Sequence, residues 1–327
     1  METKQIEDIS EDMRAHCEPQ EGPSVGDILE WYELPLAQLA AGADRARREH
    51  SGDNIDLCTI CNAKSGLCGE DCKFCAQSAH YKTDAPEYPL MSKDEMVECA
   101  RRASEIGSGR FGIVTSGRSL SSDEIGRVAD AAATIKQNIG IEVCASLGGL
   151  DHDQLVMLRE SGISRYHHNI ETSRDFFPQI ATTHTFDDRL HTIRNAAEAG
   201  LSVCSGCIIG MGENRRDRAS MAVTLRELDV DSIPINILMP IPGTPLENSR
   251  PISISEALKT IAIFRLSMPD KTIKLAAGRE SFLKDFQGTA FMAGANGMLI
   301  GGYLTQRGRP VEEDRKLVRE ILRAWTT

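Results

Sequence analysis

Short apolar runs alternate with amphipathic helical stretches along most of this chain, and that alternation leaves few folds open. The runs fall at 57–61, 110–115, 141–146, 165–170, 201–209, 232–238, 272–276 and 297–300. Each is bounded by Gly, Pro or charge, the pattern of buried parallel strands. Helical patterns lie between them. Ser92 and Glu95 have capping-box spacing ahead of Met96, Val97, Ala100 and Ala103, which share one face. Ser121 and Glu124 repeat this ahead of Ile125, Val128, Ala129 and Ala132. Further helices are expected near 152–161, 187–199, 214–228, 255–267, 280–292 and 312–324. Eight strand–helix cycles predict an α/β fold, a (β/α)8 TIM barrel with its active site at the C-terminal ends of the strands. Residues 1–25 read as an N-terminal arm, and 26–327 as one barrel domain.

The 327 residues are 41% hydrophobic and 26% charged, an ordinary globular balance with length for a large core. The net charge of -11 argues against nucleic acid and anionic membranes, which select clustered Lys and Arg. The first residues are polar and acidic, unlike a signal peptide, and no apolar run approaches the roughly 18 residues of a membrane span. A soluble cytoplasmic protein is the expectation.

Ten cysteines are present, five of them between residues 58 and 75. Clustering of this kind in a large chain points to metal binding or chemistry more than to disulfides. The core reads Cys68-Gly-Glu-Asp-Cys72-Lys-Phe-Cys75. It follows the first expected strand, which places it in a loop at the active end. Thiolates suit iron–sulfur clusters. Three closely spaced thiolates can hold three corners of a cube and leave the fourth iron open to a ligand. Structural zinc usually wants four ligands in two separated pairs, which this spacing fits poorly.

The three-cysteine pattern, with an aromatic before the last Cys, resembles the radical S-adenosylmethionine signature. The surrounding blocks narrow the likeness: Asn62-Ala-Lys-Ser-Gly66, Gln77-Ser-Ala-His-Tyr81, His168-Asn-Ile-Glu-Thr172, Val203-Cys-Ser-Gly206, Gly210-Met-Gly-Glu213, Pro234-Ile-Asn236, Gly243-Thr-Pro-Leu246, Ala277-Gly-Arg-Glu280 and Phe291-Met-Ala-Gly-Ala-Asn296. In order and spacing, from about residue 30 to 322, they are similar to the biotin synthase family. The resemblance implies a 4Fe–4S cluster on Cys68, Cys72 and Cys75 that cleaves S-adenosylmethionine to a 5′-deoxyadenosyl radical. It implies that this radical activates dethiobiotin, and that an auxiliary cluster supplies the sulfur that closes the biotin ring. A flavodoxin- or ferredoxin-type electron donor and a homodimer are implied with it.

The family's auxiliary 2Fe–2S cluster has three Cys ligands and one Arg. Two match Cys144 and Cys204, but the third position is Gly112 and the Arg position is Lys274. Cys58, on the first expected strand, is an available replacement. The expectation is that Cys58, Cys144 and Cys204 hold a 4Fe-type auxiliary cluster, 4Fe–5S in the favoured form. The alternative is a 2Fe–2S cluster with fewer protein ligands and Cys58 as a small buried hydrophobe. Lys274, as an ammonium, has no lone pair to give and would balance charge. By strand alternation, inward Cys58 and Cys204 turn Cys61 and Cys207 toward the helices and Ile208 inward, unless a bulge at Gly206 breaks the rule.

The resemblance also implies roles around the clusters. Asn169 and Glu171 would bind the ribose of S-adenosylmethionine, Arg189 its carboxylate, and Thr115 and Ser116 its methionyl end. Phe74 and Ile208 would flank the adenine. Lys64, His167, Asn236 and Thr305 would contact dethiobiotin, with the Asn236 amide able to donate to and accept from a ureido group. Gln306 stands beside Thr305. Taken alone, these residues read equally well as strand caps, surface charge or core. Gly107-Ser-Gly109-Arg-Phe-Gly112 fits a dinucleotide-binding pattern but precedes a strand, which is the wrong context. Two other readings stay open: a radical enzyme of the hydrogenase-maturase or methylornithine synthase kind, and a zinc-stabilised scaffold without turnover.

Overall fold

The computed structural model describes residues 22–305 and 308–326, so residues 1–21 of the expected arm and Gln306 lie outside the described residues. Among the described residues, nine parallel strand segments are present: β1 (Asp56–Lys64), β2 (Arg110–Thr115), β3 (Glu142–Ser146), β4 (Ile163–His167), β5 (Ser202–Cys204), β6 (Cys207–Ile209), β7 (Ser232–Ile237), β8 (Thr272–Leu275) and β9 (Gly297–Leu299). They run in the order β5-β4-β3-β2-β1-β9-β8-β7-β6, and a β5–β7 pairing closes the barrel. β5 and β6 are halves of the one strand expected at 201–209, so eight barrel strands stand where the apolar runs place them. The break at Ser205 and Gly206 has a steric cause. A Cβ on Gly206 would lie 1.9 Å from the Pro234 carbonyl oxygen, so only glycine permits this approach.

Among the described residues, two helices precede the barrel, α1 (Val25–Glu33) and α2 (Leu36–Ser51). Six follow the strands: α3 (Lys93–Glu105), α4 (Ser122–Asn138), α5 (His152–Glu160), α6 (Phe186–Glu198), α7 (Arg215–Glu227) and α8 (Ile254–Ser267). The expected capping boxes open α3 and α4. α1 packs on α7, and α2 on α8. The Tyr32 hydroxyl bonds Thr260 Oγ1 at 3.0 Å, which fixes α1 to α8.

The helix expected at 280–292 is broken into a π turn (Arg279–Leu283), a 3-10 turn (Lys284–Phe286) and α9 (Gln287–Met292). The buried Arg279 guanidinium donates to Leu299 O, Gln287 Oε1 and Asp314 Oδ2. Satisfying that charge outranks regular helix geometry. α10 (Val311–Thr326) supplies Asp314. No helix among the described residues is long and apolar enough to cross a membrane.

The main apolar core lies between strands and helices, and it includes Cys61 and Cys207. A separate small apolar cluster inside the barrel joins Cys58, Ala276 and Leu299. Strand alternation therefore sorts Cys58 from Cys61 as the sequence predicts.

Candidate active site

A cavity of about 580 Å³ opens at the C-terminal end of the barrel. Cys68, Cys72 and Cys75 line it from the loop after β1, and Cys58 and Cys204 line it from the strands. Cys144 is 1% exposed and not part of the cavity wall. It shares the inward face of β3 with Ser146, which does line the wall, and it neighbours Arg110.

The cysteine loop is held by polar anchors. Asp71 accepts from the backbone amides of Thr182 and Thr183 at 2.8 and 3.1 Å. Glu70 takes the Thr183 hydroxyl and meets His184 Nδ1 at 2.6 Å. Gln77 Oε1 accepts from Ser65 Oγ at 3.0 Å. Burial pushes the Cys72 thiol up to about 12 and Cys75 to about 11; Arg189 pulls Cys72 the other way. Such thiols ionise when a metal centre takes up their charge. Among the described residues no three His, Cys, Asp or Glu side chains converge on a single-ion site.

Beside the trio, Glu171 is partly buried with φ +64°, a left-handed conformation that costs a non-glycine residue about 1–3 kcal/mol. Burial raises its carboxyl above the usual range, against the pull of Arg189. Asn169 Oδ1 accepts from Gly206 N at 3.1 Å, and Asn169 Nδ2 reaches Glu171 at 3.4 Å. Arg189 Nη1 donates to Asn169 O at 3.0 Å and stands 3.5 Å from Glu171. Four buried atoms on the cavity wall have no partner: Thr115 Oγ1, His167 Nε2, His184 Nε2 and Arg189 Nε. Unpaired polar atoms around a cavity fit a polar ligand such as S-adenosylmethionine.

Phe74, Thr115, Ser116, His167, Asn169, Glu171, Arg189, Asn236 and Lys274 all line this cavity. The Asn236 amide already bonds Cys207 O and Ala277 N, both at 3.1 Å, leaving one hydrogen and one lone pair for a ligand. Besides Cys144, three further expected residues are not on the wall. Lys64 is paired to Glu124 at 2.6 Å. Ile208 lies beyond the strand break. Thr305 follows Leu304, which does reach the cavity. Sequence reasoning passed over Glu70, His184 and Arg118 on the wall, and Asp56, Arg110 and Arg165 on the floor. Arg110 starts β2 and Arg165 starts the strand expected at 165–170, where charge reads as a boundary, although in the structure Arg165 lies within β4.

Comparison with known proteins adds sequence to this geometry. Residues 64–225 match the radical SAM superfamily, and residues 234–321 match the biotin and thiamin synthesis associated domain. A biotin synthase of Thermotoga petrophila is 52% identical over 283 residues, covering 85% of this chain and 94% of the relative. One of Aquifex aeolicus is 47% identical over 296 residues, covering 90% and 89%. Among solved structures, methylornithine synthase superposes with TM-score 0.80 at 20% identity, covering 92% of this chain and 94% of that one. The FeFe-hydrogenase maturase of Carboxydothermus hydrogenoformans gives 0.80 at 18%, covering 97% and 78%. At such identities the two structures bear on the barrel alone.

Proposed function

The chain belongs to the biotin synthase family of radical SAM enzymes, and from that membership we propose that it inserts sulfur into dethiobiotin to form biotin. The observation that supports this most is that two thiol sets meet at one cavity. Cys68, Cys72 and Cys75 stand at its loop side, and Cys58 and Cys204 deeper among the strands. We read the first set as the ligands of a 4Fe–4S cluster. We read the second, with Cys144, as ligands of an auxiliary cluster of 4Fe type, 4Fe–5S favoured over 2Fe–2S. When bound, the first cluster supplies the electron that cleaves S-adenosylmethionine to the 5′-deoxyadenosyl radical, and the second supplies the sulfur.

The chain's own residues bind and orient. Glu171 and Asn169 accept and donate to ribose hydroxyls. The free Nε–H of Arg189 takes the methionyl carboxylate, with Thr115 and Ser116 beside it and Phe74 and Ile208 toward the adenine. The free Nε2 of His167 and the spare positions of Asn236 address the ureido ring, and Lys64 and Thr305 approach the other parts of the substrate. The reading extends to a single barrel domain over 26–327, a cytoplasmic homodimer and a flavodoxin- or ferredoxin-type donor. Anaerobic turnover with dethiobiotin, S-adenosylmethionine and reductant tests it. Biotin with 5′-deoxyadenosine is expected. 5′-Deoxyadenosine without biotin would shift the assignment to another radical reaction on this barrel.

A further inference from the structure

The floor of the barrel, below Cys58, Cys144 and Cys204, holds more positive than negative charge. Lys274 Nζ lies 3.2 Å from Asp56 Oδ2, Arg165 Nη1 lies 3.7 Å from it, and Arg110 Nε lies 3.9 Å from it. Three cations thus share one carboxylate. Glu142 stands 4.0 Å from Arg110, but its side chain is 58% exposed. Asp231 reaches Arg165 only through the Ser202 hydroxyl. Lys274 and Arg165 are buried, and an unbalanced buried charge is costly without an anion beside it.

Arg165 is the least satisfied of the three. Its Nε donates to Ser202 Oγ at 2.9 Å, which anchors the guanidinium to β5. Its Nη1 is buried and has no hydrogen-bond partner. Arg165 pairs with Cys144 in the β3–β4 register, and β5 carries Cys204 two residues after Ser202. Arg110 neighbours Cys144, and Lys274 Nζ lies 3.2 Å from Cys58 Sγ. Each cation therefore stands near one of the three inner thiols. Lys274 is a point charge, whereas Arg165 presents a planar fork of donors suited to several acceptor atoms at once.

We propose that Arg165 is a positioning residue for the auxiliary iron–sulfur cluster, its free Nη1–H and its charge holding the anionic cluster while Arg110 and Lys274 complete the balance. This rests on the reading that Cys58, Cys144 and Cys204 bind such a cluster. A cation with a hydrogen bond to the cluster favours the more negative, reduced state, so it raises the reduction potential. The pairing of Arg165 with Asp56 is longer than that of Lys274, and relief of the excess charge in the empty barrel offsets the lost Ser202 bond, so its loss should leave the apo-protein's stability little changed.

Wild type, Arg165→Lys, Arg165→Met and Cys58→Ala are to be reconstituted anaerobically with iron and sulfide. Iron and sulfide per chain, auxiliary-cluster midpoint potential and apo-protein melting temperature are then measured, with the radical SAM cluster as internal reference. Arg165→Met is expected to retain the auxiliary cluster about ten-fold less well, or at a lower potential, with Arg165→Lys between it and wild type. The radical SAM cluster and the apo melting temperature are expected to hold. Auxiliary content and potential equal to wild type in Arg165→Met overturn the role of Arg165 alone. A melting temperature lowered equally in apo and loaded protein makes the residue structural and also overturns it. Wild type with iron for one cluster only, or a second cluster untouched in Cys58→Ala, overturns the three-cysteine reading and with it this inference.

Discussion

Lys274 Nζ stands 3.2 Å from Cys58 Sγ, deep in the barrel, with the Asp56 carboxylate 3.2 Å away on the same ammonium. Burial works against the charge, but Cys58 and Asp56 outweigh it and hold the lysine above its ordinary value. The ammonium therefore ties β8 to β1 across the interior. Lys274→Met should destabilise the apo-protein by about 2 kcal/mol, since Asp56 keeps only its longer contacts to Arg110 and Arg165. Urea unfolding checks this, and an unchanged midpoint would show that the pair adds no stability.

Gly206 couples the barrel to the cofactor pocket. Its missing side chain admits Pro234 O, and its amide donates to Asn169 Oδ1. Gly206→Ala should cost about 3 kcal/mol or more in stability and weaken S-adenosylmethionine binding in whatever folds. Denaturant unfolding and a binding titration read the two effects. Wild-type values in both would mean that the strand break does not depend on this glycine.

Outside the cavity, Cys61 on β1 neighbours Cys99 on α3. The Cys61 thiol lowers the half-buried Cys99 below the ordinary thiol value, against the effect of burial. Iodoacetamide labelling of Cys99, followed by peptide mass spectrometry, should rise with pH about a midpoint below that of a free thiol. Cys61→Ala should move the midpoint up toward the ordinary value of about 8.5. A midpoint indifferent to Cys61 contradicts the pairing.

Two histidines make the apo-protein acid-sensitive. Burial holds His168 well below the ordinary value, helped by Arg189 and His184. Burial and Arg189 lower His184, against the pull of Glu70. In the unfolded chain both protonate near pH ~6.5, while the folded forms stay neutral to lower pH. The unfolded state then binds more protons, so stability falls as pH drops below ~6.5, by up to about 1.4 kcal/mol per pH unit for each histidine. His168→Gln should flatten this slope in equilibrium unfolding between pH 5 and 7; an unaltered slope assigns the sensitivity elsewhere.

The strands were legible because buried parallel strands must be short, apolar and punctuated, and the cysteine trio because its spacing serves so few chemistries. What escaped was non-local. Glu70 and His184 are 114 positions apart and meet only after folding. Arg110 and Arg165 begin β2 and an expected strand, and look like solvent-facing boundaries until Asp56 is seen between them. The turn at Arg279 follows from where Asp314 and Gln287 end up, which local periodicity cannot report. Ile208 keeps the inward side that alternation gives it, since Cys207 and Ile209 face the main core, but beyond the break at Gly206 it does not reach the cavity wall.

The central claim is that thiols inside the barrel hold the sulfur that enters the product. The most direct test reconstitutes the protein with 34S-sulfide, removes free sulfide, and runs a single anaerobic turnover with dethiobiotin and S-adenosylmethionine. Mass spectrometry then reads the isotope in biotin. 34S-biotin is expected from wild type and little or no biotin from Cys58→Ala. Biotin carrying natural-abundance sulfur, or full 34S-biotin from Cys58→Ala, would contradict the claim.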